Sequence, residues 1–374
     1  MHMAKARLMV GIIFGGRSGE HAVSLMSARS VAQAIDRNKY DVTMIGISKA
    51  GHWIGGDDPL RELEQGGYDA PGRALLGAPR QGELMSVSAA LVPGELRLAP
   101  VTELDVVFPL VHGTYGEDGA LQGLMEMADV AYVGAGVVGS ALSMDKGIFK
   151  SVMSAAGLPV LPHLVITRAQ FAEQPDQVVA QCEAALHYPL FVKPANLGSS
   201  VGISRADDAA GLHGALVEAA RWDRRLVVEQ GIDAREIEVS VLGNDMPQAS
   251  SVGEIRPRRG FYDYIAKYVS GDSELLIPAP LSPELTERAQ SLAVEAFKAV
   301  DCAGMARVDF LLDKSTDQLW LNELNTIPGF TEISMYPKLW AAAGVGYPEL
   351  IDRLIELALE RKADRDRTER TFEV

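Results

Sequence analysis

The chain has 374 residues, of which 47% are hydrophobic, and its formal net charge is −15. This length suffices for two or three domains, and the acidic balance argues against a nucleic-acid partner or an anionic membrane surface. No apolar stretch approaches the ~20 residues of a membrane span. The two cysteines, Cys182 and Cys302, are far apart in the sequence. We therefore expect neither a disulfide framework nor a zinc site, and a cytoplasmic location is predicted.

The N-terminal region predicts a strand, a helix and a second strand. Residues 8–14 form an apolar run, residues 15–19 form a Gly-rich turn, and residues 40–47 form another apolar run. The helix between them is expected to begin near Glu20 and to turn these side chains inward: Val23, Met26, Ala28, Val31 and Ile35. This order is typical of a parallel sheet covered by helices.

The rest of the chain predicts alternating strands and helices. Residues 48–100 are rich in Gly and Pro and predict an insertion or small hairpins without assignable chemistry. Predicted strands cover residues 106–111, 131–133, 189–193, 226–229, 237–243 and 249–255. One predicted helix begins near Ala120, and five others cover residues 145–156, 167–187, 207–221, 283–300 and 347–361. We predict three domains, over residues 1–140, 141–232 and 233–374.

Residues 305–329 predict a β-hairpin with a charged face. If residues 314–318 form the turn, Asp309 lies opposite Glu323, and Arg307 lies opposite Asn325. Two facing carboxylates repel unless a cation lies between them, and carboxylate and amide oxygens are ligands that Mg²⁺ prefers. The alternative is an ordinary surface hairpin in which Arg307 forms an ion pair with Asp309.

A lysine within an apolar strand and the loop that follows it suggest a phosphate site. Lys193 lies in an apolar run, where a lysine is rarely buried without an anionic partner. The loop at residues 196–202 contains Gly198, Ser199, Ser200 and Gly202, whose backbone N–H groups and hydroxyls suit phosphate oxygens. It is not the Walker A pattern, because a strand is expected after it. The alternative is a Gly/Ser hairpin with a lysine that extends to solvent.

Residues 134–139 match the pattern G-x-G-x-x-G after a short strand. A dinucleotide site also requires an acidic residue about 20 positions later, and residues 155–160 contain none. The match therefore predicts a structural turn, and we reject a nicotinamide-dependent oxidoreductase.

Several polar residues follow predicted strands, where α/β proteins bind ligands. Glu20, His112 and Glu117 lie in such positions, and so do Glu229 and Glu236. Each of them alone is also compatible with a structural role. Residues 256–281 form a long segment with three tyrosines and little periodicity, which predicts a lid over a polar ligand.

Taken in order, these motifs resemble the D-alanine–D-alanine ligases of the ATP-grasp superfamily. The resemblance rests on residues 14–20 (FGGRSGE), 112–119 (HGTYGEDG), 143–146 (SMDK), 193–194 (KP), 198–202 (GSSVG), 261–268 (FYDYIAKY), 307–309 (RVD) and 322–329 (NELNTIPG). It covers nearly the whole chain and is specific as an ordered set.

The resemblance implies a three-domain α/β ATP-grasp fold with a Rossmann-like N-terminal domain and ATP between two sheets. ATP would be bound by Lys146, Lys193, Gly198, Ser200, Glu229, Gln230, Ile232 and Glu236. Two Mg²⁺ ions, for which Mn²⁺ can substitute, would be held by Asp309, Glu323 and Asn325. D-Alanine would be bound by Glu20, His112, Lys267 and Ser334, and the catalytic set would comprise Glu20, Ser199, Tyr268, Arg307 and Gly329.

The implied reaction is the ATP-dependent joining of two D-alanines through a D-alanyl phosphate, for peptidoglycan precursors, by a homodimer in the cytoplasm. A D-alanine–D-lactate ligase is the alternative within this class. A nucleotide-binding regulatory protein without catalysis is the alternative from another class. Stereochemistry rests on the resemblance alone, because neither spacing nor composition distinguishes D from L substrates.

Overall fold

The structure, a computed structural model, describes residues 7–56, 58–66, 74–76, 83–89, 96–257 and 273–369. The described residues form four β-sheets, each of which is flanked by helices or by another sheet. No helix in these ranges is long and apolar enough to cross a membrane. Lys267 and Tyr268 and most of the predicted lid lie outside the described residues.

The first sheet has the predicted parallel core. Its order is β3-β2-β1-β7-β8, with β1 (Leu8–Gly15), β2 (Tyr40–Ile47), β7 (Val106–Pro109) and β8 (Ala131–Tyr132) parallel and β3 (Trp53–Ile54) antiparallel. Helix α1 (His21–Ala34) packs against β1. The prediction that Met26 points inward is wrong, since it is 44% exposed. Strand β7 ends two residues earlier than predicted.

The insertion contains the predicted small elements. Helix α2 (Pro59–Glu64) is followed by an antiparallel sheet of β4 (Ala74–Leu76), β5 (Glu83–Ala89) and β6 (Leu96–Glu103). After it, the chain forms helices α3 (Ala120–Met127), α4 (Val137–Met144) and α5 (Lys146–Ala155).

The G-x-G-x-x-G match is a structural turn, as predicted. Gly134 has a φ of +95°, and its carbonyl accepts a hydrogen bond from Arg361 at 2.8 Å. A Cβ atom on Gly139 would lie 2.8 Å from the carbonyl oxygen of Asp301. These glycines therefore permit close packing between chain segments.

The second sheet is antiparallel, with the order β11-β10-β12-β9. Its elements are β9 (His163–Thr167), α6 (Arg168–Glu173), α7 (Pro175–Ala185), β10 (Leu190–Pro194), β11 (Ser204–Ala206), α8 (Ala209–Trp222) and β12 (Arg225–Gln230). The predicted single helix over residues 167–187 is wrong. Thr167 ends a strand and caps α6, and Pro175 begins a separate helix, because proline cannot donate a hydrogen bond within a helix.

The third sheet is antiparallel, with the order β15-β14-β13-β16-β17. Its elements are β13 (Ala234–Gly243), β14 (Gln248–Pro257), β15 (Ser273–Leu276), α9 (Pro283–Ala299), β16 (Gly304–Asp313) and β17 (Leu319–Asn325), followed by α10 (Met335–Ala342) and α11 (Tyr347–Arg365). One buried cluster joins the first sheet to α10 and α11 and includes Ile12, Phe330, Trp340 and Leu354. The C-terminal helices thus complete the core of the N-terminal domain and fix the two regions relative to each other.

Candidate active site

The hairpin of β16 and β17 has the predicted register at its functional end. Asp309 pairs with Glu323, and Arg307 pairs with Asn325. Nearer the turn, the pairing is displaced by one residue, with Phe310 opposite Leu321. A β-bulge at Asn322 absorbs the difference, because two residues of the bulged strand face one of its partner. The bulge turns Asn322 toward Lys193, whose Nζ lies 3.2 Å from its Oδ1.

Arg307 is held by carboxylates on two strands. Its Nε and Nη2 donate to the two oxygens of Asp309 at 2.7 and 2.6 Å, and its Nε lies 3.1 Å from Glu238 Oε2. Asn325 Nδ2 also donates to Asp309, at 3.0 Å. The predicted ion pair therefore exists, but the side chains of Arg307 and Asp309 are only 14% and 13% exposed. A solvated surface hairpin is excluded by this burial.

The donor set on this hairpin fits a hard cation. Among the described residues, no group of three or more His, Cys, Asp or Glu is arranged to hold a metal ion. Asp309 and Glu323 supply two carboxylates and Asn325 an amide oxygen, so a metal here would need further oxygens from a ligand. The Oδ2 atom of Asp309 accepts hydrogen bonds from both Arg307 and Asn325, so a metal ion bound here would compete with these donors.

A cavity of about 540 Å³ lies between the second and third sheets. This volume is in the range of small-molecule and cofactor sites. Its wall contains all eight residues that the resemblance assigns to ATP: Lys146, Lys193, Gly198, Ser200, Glu229, Gln230, Ile232 and Glu236. Phe191, Leu161 and Ile203 add apolar surface, while Asp309 and Glu323 add carboxylates. The cavity thus offers both apolar and charged surface to a ligand.

Two lysines flank the buried carboxylate of Glu229. Lys193 Nζ lies 2.5 Å from Glu229 Oε2, and Lys150 forms an ion pair with Glu229 Oε1. Burial alone would raise the pKa of Glu229, but the two ammonium groups outweigh it and lower the pKa to about 2. Glu229 is therefore ionised at neutral pH.

The Gly/Ser loop lies against Glu20. The hydroxyl of Ser199 donates a short hydrogen bond to Glu20 Oε1. Ser199 and Ser200 both have a positive φ, of 52° and 58°. This left-handed conformation costs about 1–2 kcal/mol for each residue that is not glycine. Lys146 donates to the carbonyl of Leu197 at 2.7 Å and holds the start of the loop.

A second, smaller pocket of about 50 Å³ lies beside the large cavity. Its wall contains Glu20, His112, Glu117, Ser199, Arg307, Asn325 and Gly329. Lys146, Gly198, Ser199 and Glu323 line both spaces. The two pockets therefore meet between the Gly/Ser loop and the carboxylate hairpin.

His112 is a structural anchor of the smaller pocket. Its Nδ1 lies 2.8 Å from the carbonyl of Ile327 and its Nε2 lies 3.0 Å from the hydroxyl of Ser27. Because a carbonyl only accepts, Nδ1 carries the proton and Nε2 accepts from Ser27. Burial lowers the pKa of His112 and keeps the ring neutral, against the opposing charge of Glu20.

Glu117 holds the same segment from the N-terminal domain. Its oxygens accept hydrogen bonds from the backbone N–H groups of Gly113, at 2.7 Å, and Ile327, at 2.8 Å. Burial raises the pKa of Glu117 to about 8, and the charge of Glu20 acts in the same direction. Together with His112, Glu117 fixes the turn that carries Gly329.

Ser334 lies apart from the lining of both pockets. It stands at the N-terminus of α10, and its Oγ accepts a hydrogen bond from the backbone N–H of Thr331 at 3.1 Å. The other predicted residues for the second substrate, Lys267 and Tyr268, lie outside the described residues.

Comparisons with known proteins agree with this geometry. The family models described as "D-ala D-ala ligase N-terminus" and "D-ala D-ala ligase C-terminus" match residues 9–135 and 152–356. The chain belongs to the D-alanine–D-alanine ligase family. A member from Ruminiclostridium cellulolyticum is 50% identical over 98% of both chains, and one from Chloroherpeton thalassium is 49% identical over 95% of this chain and 97% of the relative.

Solved structures extend the family assignment to the fold. The D-alanine–D-alanine ligase from Coxiella burnetii matches with a TM-score of 0.78 and 35% identity over 97% of both chains. The VanG D-Ala:D-Ser ligase from Enterococcus faecalis matches with the same TM-score and 33% identity, over 94% of this chain and all of the other. This ligase therefore has the predicted ATP-grasp fold, is an enzyme and uses ATP, so the non-catalytic alternative is set aside.

Three residues of the site were missed by the sequence interpretation. Lys150 lies one helical turn after Lys146, on the same stripe as the buried Phe149 and Met153, and this apolar spacing was its only signal. Asn322 lies on the cavity wall because of a β-bulge, which the local sequence pattern does not predict. Ser27 looks like an ordinary helix residue, and only the fold brings it to His112.

Proposed function

We propose that this ligase joins two molecules of D-alanine and converts ATP to ADP and phosphate. The observation that carries the proposal is the meeting of the two pockets. A nucleotide-sized cavity opens beside a small polar pocket, and Lys146, Glu323 and the Gly/Ser loop lie between them. Such a junction would bring the terminal phosphate of ATP to the carboxylate of a small substrate.

The proposed reaction has two steps. The carboxylate of the first D-alanine attacks the γ-phosphorus of ATP, giving a D-alanyl phosphate and ADP. The amine of the second D-alanine then attacks the acyl carbon, and phosphate leaves. Phosphorylation is required because oxide is a poor leaving group, and phosphoryl transfer depends mainly on positioning and cationic groups.

In this proposal, the described residues bind and orient the reactants. Lys146 and Lys193 contact the phosphates, and residues 198–202 cover them. Glu20 binds the ammonium of the first D-alanine, with His112 near its carboxylate. Arg307 and the backbone N–H of Gly329 stabilise the oxyanion, where each such donor contributes on the order of 3 kcal/mol.

The remaining assignments concern the ribose, the adenine, the metal ions and the second substrate. Segment 229–232 faces the adenine, and Glu236 the ribose. Asp309, Glu323 and Asn325 would hold two Mg²⁺ ions, which neutralise charge on the phosphates when bound. The resemblance assigns Lys267 and Ser334 to the second D-alanine and Tyr268 to a network with Ser199 and Glu20, and of these groups only Ser334, Ser199 and Glu20 lie among the described residues.

The activity is tested with purified protein, ATP, Mg²⁺ and D-alanine, by measuring phosphate and dipeptide together. We expect both products in equal amounts, with little turnover of L-alanine. D-Lactate is offered as a second substrate because a D-alanine–D-lactate ligase is the alternative within this class. D-Serine is offered as well, because a solved structure of equal TM-score is a D-Ala:D-Ser ligase. Equal turnover with L-alanine, or with D-lactate at neutral pH, would contradict the proposal.

The hairpin assignment is tested by Glu323→Gln. This variant should lose turnover and keep its unfolding midpoint, because Glu323 lies on the pocket wall. Glu287→Gln, on the exposed face of α9, is the matched control and should retain activity. Turnover by Glu323→Gln at the wild-type rate would show that the ligand set is wrong. Sedimentation of the same proteins tests the proposed homodimer.

A further inference from the structure

The buried ion cluster behind the large cavity has an unequal charge. Lys150 and Lys193 share the single carboxylate of Glu229, so the cluster carries a net charge of +1 when both lysines are protonated. Burial lowers the pKa of Lys150, and the charge of Glu229 opposes this shift. Glu229 is 2% exposed and Lys150 is 0% exposed. A surplus positive charge in such a buried cluster is costly without an anion nearby.

The lysine of this cluster that lies at the cavity wall is Lys193. Lys193 and Glu229 line the cavity wall, whereas Lys150 is completely buried behind them on α5. Lys150 contacts a residue of the cavity wall through its ion pair with Glu229. Without Lys150, the carboxylate of Glu229 would neutralise Lys193, and the cluster would have no net charge.

We propose that Lys150 is a positioning residue that neutralises Glu229, so that the charge of Lys193 stays available to the polyphosphate of the nucleotide. The inference rests on the proposed ATP site. It extends that site by a residue that touches no ligand and acts through its counter-ion. The carboxylate of Glu229 in turn holds the Lys193 ammonium at the wall, where Asn322 also accepts a hydrogen bond from it at 3.2 Å.

The test measures binding of ATP, ADP and adenosine by calorimetry to the full chain. In Lys150→Met, we expect the Kd of ATP and ADP to rise about tenfold, as expected for the loss of one nearby charge, while that of adenosine stays within about twofold. Lys298→Met removes an exposed lysine on α9 and should leave all three affinities unchanged.

The decisive variant is Lys150→Met/Glu229→Gln, which restores the net charge of +1 with Lys193 alone. We expect it to recover most of the lost affinity for ADP relative to that for adenosine, a ratio that corrects for any effect of Glu229→Gln on the adenine. The double variant also replaces both members of the buried pair, so it tests the idea even if Lys150→Met is poorly folded. Thermal unfolding of each protein checks the fold.

The outcomes separate this inference from the proposed function. If the wild-type protein binds no adenine nucleotide, the ATP site itself is wrong. If the wild type binds ADP and Lys150→Met binds it equally well, only the inference fails. The inference would be overturned if Lys150→Met lost affinity for adenosine and ADP equally and the folded double variant did not recover it. Lys150 would then contribute only to packing.

Discussion

Glu117 and His112 both bind the backbone of Ile327, Glu117 through its N–H group and His112 through its carbonyl group. A carboxyl oxygen of Glu117 accepts a hydrogen bond from the N–H of Ile327 at 2.8 Å, and His112 Nδ1 donates to the carbonyl of Ile327 at 2.8 Å. Ile327 lies two residues before Gly329, whose N–H is the proposed oxyanion donor. Two residues of the N-terminal region thus fix the backbone beside a group that we propose to be catalytic.

Glu117→Gln should weaken this attachment. An amide has only one oxygen, so one of the two backbone N–H groups would face an –NH₂ group instead of an acceptor. We expect the free energy of unfolding to fall by about 1–3 kcal/mol and kcat to fall as well, because Gly329 is displaced. Urea denaturation and steady-state kinetics measure the two effects. Glu126→Gln, in α3, serves as a control for kcat, and an unchanged kcat in Glu117→Gln would contradict the role given to this contact.

Arg307→Lys should retain the charge and lose the fork-like contact with Asp309. A lysine ammonium cannot reproduce two parallel hydrogen bonds, and it would leave Glu238 or Asp309 poorly paired. We expect kcat to fall about 100-fold, since a fixed cation near a developing oxyanion is hard to replace. Phosphate release assays measure this, with Arg353→Lys on the exposed face of α11 as the control. Wild-type turnover by Arg307→Lys would remove Arg307 from the oxyanion site.

Ser199→Ala should loosen the Gly/Ser loop. The variant loses the hydrogen bond to the Glu20 carboxylate, and bonds to charged groups contribute about 1.5–3 kcal/mol. We expect the KM for D-alanine to rise tenfold or more, and hydrogen exchange to be faster at residues 198–202. Ser315→Ala, in the exposed turn of the hairpin, should change neither quantity. Unaltered exchange in the loop of Ser199→Ala would show that Glu20 does not hold it closed.

Glu229 should make the free energy of unfolding depend on pH. Its pKa is about 2 in the folded chain against an ordinary value of 4.5, so its stabilising contribution is present above pH 4.5 and is lost as the pH falls toward 2. Glu229→Gln should lower the free energy of unfolding by about 3–5 kcal/mol at pH 7, because two buried lysines lose their counter-ion. The difference from the wild type should shrink between pH 5 and pH 3, as measured by urea denaturation. A difference that stays constant over this range would contradict the assignment.

The sequence predicted those features that depend on local periodicity. The alternation of β16 and β17 placed Asp309 opposite Glu323, and the apolar runs of β1, β2 and β7 predicted a parallel sheet. The order of the motifs was sufficient to identify the family. The wrong predictions also concerned local features: Pro175 divides the predicted helix of residues 167–187, and Met26 faces solvent.

The sequence by itself determined which chemical groups this ligase possesses and on which strands and turns they lie, because side-chain direction follows from the two-residue and 3.6-residue periods. Only the tertiary structure decided which of them meet. The ion cluster of Lys150, Glu229 and Lys193, the contact of Ser199 with Glu20 and the double attachment of Ile327 join residues 36 to 215 positions apart. Such contacts depend on how separate elements pack, and no local pattern contains that information.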